Sequence, residues 1–183
     1  MNIEALHKEI KQSFRLLMNG VTAQSLREKG ADYHLNWGVN LLHLMEMAKE
    51  YETSRELASL LWQDNIRECK ILATMLMPVE EFTEDMALRW INETPTQEIA
   101  EIACKNLYSK LPYAKALAIK LLDAEDSGGL LHAYCILGSL QNLSDEDIQI
   151  VIAHANKTVS DTTLPLGLRH AANNAMLRHP HRL

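Results

Sequence analysis

About ten helical segments follow one another along the chain with short breaks, and no alternating strand pattern interrupts them. This succession limits the fold more than any single residue does. The first segment runs from about Ile3 to Met18 and closes at Asn19-Gly20, where a glycine can take the left-handed cap conformation. Ala23 to Lys29 is a short helix stopped by Gly30, and Val39 to Tyr51 carries an apolar face of Leu41, Leu42, Leu44, Met45 and Ala48. Thr53 is expected to cap Ser54 to Trp62, with Glu56 completing a capping box, and Asp64 or Asn65 to cap the next helix, which ends at Pro78. Thr83 to Asn92 opens with Glu84 and Asp85, suited to the positive end of a helix dipole. Thr96 to Lys110 follows Pro95, and Tyr113 to Leu122 follows Pro112. Gly128-Gly129 is expected to separate that helix from Leu130 to Gln141. Ser144 caps Asp145 to Thr158, and Pro165 opens a last helix to about Arg178.

So many short helices invite a search for a repeat. Comparable positions fall at Arg67, Glu98, His132 and Arg169, spaced 31, 34 and 37 residues apart. Six residues beyond each lies a small side chain: Ala73, Cys104, Gly138 and Ala175. Small residues at one helical position let neighbouring helices approach closely. The segment "LRHAANNAML" resembles the second helix of a HEAT repeat. The expected fold is all-α, a right-handed α-solenoid of HEAT-like, armadillo-type helix pairs, with a closed helical bundle as the alternative. At 183 residues, with 47% apolar and only 5% aromatic side chains, the chain suits one domain over residues 1–183.

The formal net charge of −6 argues against gripping nucleic acid by bulk positive field, while leaving room for a local basic face. Cys69, Cys104 and Cys135 stand far apart and are odd in number, which fits reduced buried thiols rather than a disulfide framework or a zinc site. No metal and no cofactor is expected. The N-terminal "MNIEALHKEIKQSF" mixes acids and bases and has no signal-peptide core, and no apolar run reaches the roughly 18 residues that cross a bilayer. A soluble, cytoplasmic protein without a membrane partner is the expectation.

Residues about 18 to 140 carry, in order, a Ser-x-Arg-x-Lys-Gly segment at Ser25–Gly30, the run Asn36-Trp37-Gly38-Val39, an "ELASLLW" helix, an "IRECKILA" helix and an apolar helix ending in Trp90. In this order and spacing they resemble the DNA alkylation repair family, the AlkD-type glycosylases built on HEAT-like repeats. The resemblance implies a curved helical array whose second helices face DNA, and an activity that excises N3- and N7-alkylated purines without a metal. In that chemistry a carboxylate stabilises the positive character that develops on the sugar. The chain departs from the family pattern after Trp90. Thr96 and Gln97 stand where an aromatic pair is expected, Glu101 falls at the acid's place with Glu98 one turn earlier, and His132 is nearest to an expected arginine. A histidine cannot replace a bidentate phosphate clamp.

The resemblance therefore nominates Glu101 and His132 as catalytic positions. Arg67 and Lys70 on one second helix, Lys105 on the next and Arg169 on a later one could line a DNA-binding wall, and Arg27 and Lys29 lie in the segment that resembles the family's N-terminal DNA-contacting region. Each has a plainer alternative. The run Arg67-Glu68-Cys69-Lys70 reads equally as surface charge at a helix start, and Glu98 with Glu101 as a solvated face answered by Lys105. His132 reads equally as a hydrogen-bonded structural histidine, and Trp37, Trp62 and Trp90 as packing between repeats. The tail "RHPHRL", with His179 and His181, offers metal or phosphate ligands only if it is ordered. Two functions follow: weak, salt-sensitive binding to duplex DNA, with excision of alkylated purines where Glu101 serves; or a catalytically inactive scaffold for a protein partner.

Overall fold

A computed structural model describes residues 2–31 and 33–179. Among these residues the only departure from helix and loop is an isolated parallel bridge between Leu35 and Ile66. The chain divides into two compact units, residues 1–82 and 83–183.

The first unit holds α1 (Ile3–Ser13), a 3-10 turn (Phe14–Leu16), α2 (Gly20–Glu28), α3 (Leu41–Lys49), α4 (Arg55–Gln63), α5 (Arg67–Leu76) and a closing 3-10 turn (Val79–Glu81). Helices α4 and α5 form its central pair, with α1 against α4 and α3 against α5. Leu44, Leu57, Leu61, Trp62, Ile71 and Leu72 are its buried centre. Gly30, the expected stop of α2, does have positive φ, at 80°. The cap of α4 is Ser54 rather than Thr53; its hydroxyl accepts from Leu57 N–H at 3.2 Å and donates to Glu56 at 3.1 Å. Helix α5 starts without a side-chain cap, because Asp64 is turned toward His7 and Lys11 of α1.

The second unit holds α6 (Glu84–Asn92), α7 (Gln97–Asn106), a 3-10 turn (Tyr108–Lys110), α8 (Ala114–Leu121), α9 (Ser127–Leu137), α10 (Asp145–Ser160) and α11 (Leu166–Arg178). Helices α8 with α9 and α10 with α11 are the tightest pairs, and α7, α9 and α11 pack successively as a row of second helices. The expected register of small residues serves this row. A Cβ built on Gly138 would stand 3.5 Å from the Cα of Ala175, and the Cys104 thiol reaches the carbonyl of His132 at 3.9 Å. Gly128 and Gly129, expected to precede α9, instead lie in its first turn, capped by Asp126, which accepts from Gly129 N–H at 2.7 Å. A Cβ on Gly129 would stand 2.7 Å from that of Ala124, so a side chain there would collide with the incoming loop. Ser144 and Asp147 form a complete capping box on α10.

Among the described residues no helix is long and apolar enough to cross a membrane.

Candidate functional site

The charged run at the head of α5 is a clamp on the segment Asn36-Trp37-Gly38-Val39. Gly38 has φ +68°, and a Cβ there would run into the backbone at Asn19 and Ala23, so close chain approach and handedness both demand glycine. The Asn36 side chain accepts from Gly38 N–H at 2.8 Å and donates to the Ala23 carbonyl at 3.4 Å. Glu68, fully buried, accepts from Trp37 N–H and Val39 N–H, each at 3.2 Å. Arg67 donates to the Val39 carbonyl at 2.9 Å and to Glu68 at 3.2 Å. Lys70 places its ammonium 4.2 Å from the ring centroid of buried Trp62. Arg67 and Lys70 are 4% and 6% exposed, so their charges are directed into the fold rather than onto an open wall. Burial also pushes the Cys69 thiol well above its ordinary pKa, which leaves it a packing residue rather than a nucleophile.

The row α7, α9, α11 carries a surface groove of about 170 Å³. Glu101 on α7, Tyr134 and Cys135 on α9, and Asn174 and Arg178 on α11 line it, with Gly138 and Ala175 as its floor where the helices come closest. Glu101 is exposed, and its carboxylate accepts from Gln97 Nε2 at 2.7 Å across one helical turn. Tyr134 is buried and anchored through its hydroxyl, 2.7 Å from Thr158 Oγ1. One carboxylate and one guanidinium thus share a groove that runs across three second helices. The family resemblance pointed to Glu101. Asn174 and Arg178 went unnoticed, although "LRHAANNAMLR" on a second helix places them five and nine residues beyond Arg169.

His132 does not share this groove. It is 1% exposed and borders a different cavity with Thr94, Pro95 and Pro165. Its Nδ1–H donates to the Gly128 carbonyl at 2.8 Å, one turn back in α9, and Nε2 lies 3.5 Å from Thr94 Oγ1. Burial lowers its pKa, only partly offset by the bond to Gly128, so the neutral ring is favoured. Arg169 is half-buried and donates from Nε to the Val159 carbonyl at 3.1 Å, tying α11 to the end of α10. Lys105 is exposed on α7, and Arg27 and Lys29 are exposed at the end of α2. Glu98 is half-buried and does not line the Glu101 groove. His179 is buried and its Nε2 lies 2.7 Å from the Leu137 carbonyl, so it seals α11 against α9; His181 lies outside the described residues. Trp62 and Trp90 are core, whereas Trp37 is half-buried. Among the described residues no group of three or more His, Cys, Asp or Glu side chains could hold a metal ion.

Among solved structures, one described as a new family of proteins related to the HEAT-like repeat DNA glycosylases with affinity for branched DNA structures is 20% identical. The match covers 94% of this chain and 74% of that one, with a TM-score of 0.81. That likeness shows the fold, an all-α array of HEAT-like repeats. No curated protein matches the chain. The family model for the DNA alkylation repair enzyme matches residues 10–179, nearly the whole length, and the chain belongs to that family.

Proposed function

We propose that the chain acts as one HEAT-like domain, residues 1–183, that binds duplex DNA, using the row α7, α9, α11 as part of its DNA-facing surface. The observation that carries this reading is the groove that Glu101 on α7 and Arg178 on α11 both line, with α9 between them. Arg178 supplies a phosphate contact, and Glu101 the anion that a cationic base or sugar would face. For an N3- or N7-alkylated purine, the glycosidic bond breaks with its electron pair passing to the base, which leaves uncharged. The positive charge then on C1′ is stabilised by the Glu101 carboxylate, and water adds there and loses a proton. Arg67, Lys70 and His132 serve the fold in this proposal, and Lys105 with Arg169 borders the same row.

The test is a duplex carrying N7-methylguanine, with base release and fluorescence anisotropy followed across a salt series. Base release lost in Glu101→Gln with binding kept supports excision at this groove. Arg178→Glu should weaken binding and reduce the salt slope by about 0.9, the share of one phosphate. Binding without release removes the excision reading. Absence of salt-sensitive binding removes the DNA reading altogether. The second reading, an inactive scaffold for a protein partner, then stands; the net charge of −6 and the burial of Arg67 and Lys70 favour it.

A further inference from the structure

The first unit carries a second groove, larger than the one at Glu101, at about 540 Å³. It lies between α1, the loop from His34 to Trp37 and the turn from Asp64 to Ile66. Lys8, Lys11 and Arg15 recur along α1 and the 3-10 turn that continues it, at intervals of three and four residues, so one helical face presents three permanent cations to the groove. Its acid is Asp64, already held by His7 Nε2 at 2.7 Å and by Lys11 Nζ at 3.1 Å. Although burial acts to raise the Asp64 pKa, those bonds carry it below the ordinary carboxylate range. The groove remains positive after that pairing, through exposed Lys8 and Arg15. Trp37 forms its aromatic wall, and the Arg15 guanidinium lies 5.8 Å from the centroid of that ring. The wall is fixed from behind, since Trp37 N–H is bound by buried Glu68 and the bridge from Leu35 to Ile66 pins the loop.

Cations spaced along a helix face and an aromatic ring beside them are the two elements that hold an unpaired nucleic-acid strand: phosphates on the first, a base on the second. A stacked duplex offers no base face to Trp37. The volume falls in the range of pockets that take one small ligand, enough for about one nucleotide unit. We infer that this groove of the first unit is a binding site for a single-stranded segment of nucleic acid, with Lys8 and Arg15 on its phosphates and Trp37 stacking on a base. It does not rest on the Glu101 groove.

The probe is an oligothymidylate titrated into the full chain while tryptophan emission is recorded. Trp62 and Trp90 are buried, so quenching by a stacked base reports Trp37. The expected result is saturable quenching, with affinity lowered tenfold or more in the surface double variant Lys8→Glu/Arg15→Glu. Its salt slope should fall by about 1.4, two single-strand phosphates at about 0.7 each. Trp37→Phe should retain binding by anisotropy while losing the quenching, and Trp37→Leu should lose about tenfold in affinity. Absence of quenching, or full affinity in the double variant, overturns the inference. So does a Lys8- and Arg15-dependent retention on anionic phospholipid vesicles with no oligothymidylate binding, which would make the groove a lipid-headgroup site. Tryptophan quenching by a single strand is separate from duplex anisotropy and base release, so failure of one proposal leaves the other readable.

Discussion

Glu68→Leu tests the clamp on the Gly38 loop. Glu68 is fully buried, accepts two backbone N–H bonds and pairs with Arg67, which is 4% exposed. Removing it orphans the Trp37 and Val39 N–H groups, at about 1–3 kcal/mol each, and takes a carboxylate partner from the buried Arg67 guanidinium. The summed loss is about 3–5 kcal/mol once the site relaxes, a large share of a typical stability of roughly 5–15 kcal/mol. An isolated buried ion pair can be replaced by two apolar residues at little cost. This one differs, because two of the bonds of Glu68 go to the main chain. Arg67→Met/Glu68→Leu should therefore recover only the part due to the broken ion pair and remain about 2–4 kcal/mol below wild type. Glu68→Gln, which keeps one acceptor oxygen, should lose the least. Urea denaturation followed by circular dichroism gives the order. A double variant as stable as wild type, or Glu68→Leu costing under about 1 kcal/mol, would refute the clamp.

Other outcomes follow from the same geometry. Gly38→Ala should lose about 2 kcal/mol or more in the same denaturation assay, since φ +68° and the backbone at Asn19 both oppose a Cβ. His132 has a folded pKa lowered by burial, so the unfolded chain binds the proton more readily; its contribution is complete above about pH 6.5 and is lost as pH falls below that value. Melting temperature measured against pH should accordingly have a shallower acid slope in His132→Leu than in wild type. Asp64→Asn should cost about 1 kcal/mol at neutral pH, moderated by solvent at this partly exposed pair, with the difference vanishing as pH falls through the lowered Asp64 pKa. Iodoacetamide at neutral pH should alkylate half-buried Cys135 before Cys69 or Cys104, which are buried with raised pKa values; mass spectrometry of the peptides reads the order.

The helices and the second-helix register were legible because both are local signals. Ser144 caps where its residue type requires, and Cys104, Gly138 and Ala175 fall on the row of close packing. What the register could not say is which way its first residue points. Arg67 finds its acceptor in a carbonyl 28 residues earlier, so a pattern that looks like solvated charge is an internal clamp. His132 likewise turns back on its own helix at Gly128. The groove on α1 draws on three segments that become neighbours only on folding, and its cations read in sequence as an ordinary amphipathic face. Arg178 escaped notice for a related reason: nothing at the end of α11 announces that Glu101, 77 residues earlier, lies along the same groove.

The burial of Arg67, Glu68 and Lys70 also bears on how an anionic ligand arrives. Two cations and one anion are withdrawn from solvent, so neither cation can contact a phosphate while the net charge stays at the formal −6. Within the screening length the net negative charge repels an approaching polyanion, while at contact local cations attract one. Added salt then has opposite effects on the two halves of binding. It eases the approach and loosens the grip, so the association rate for an oligonucleotide should hold or rise with ionic strength while the dissociation rate climbs, the reverse of electrostatic steering.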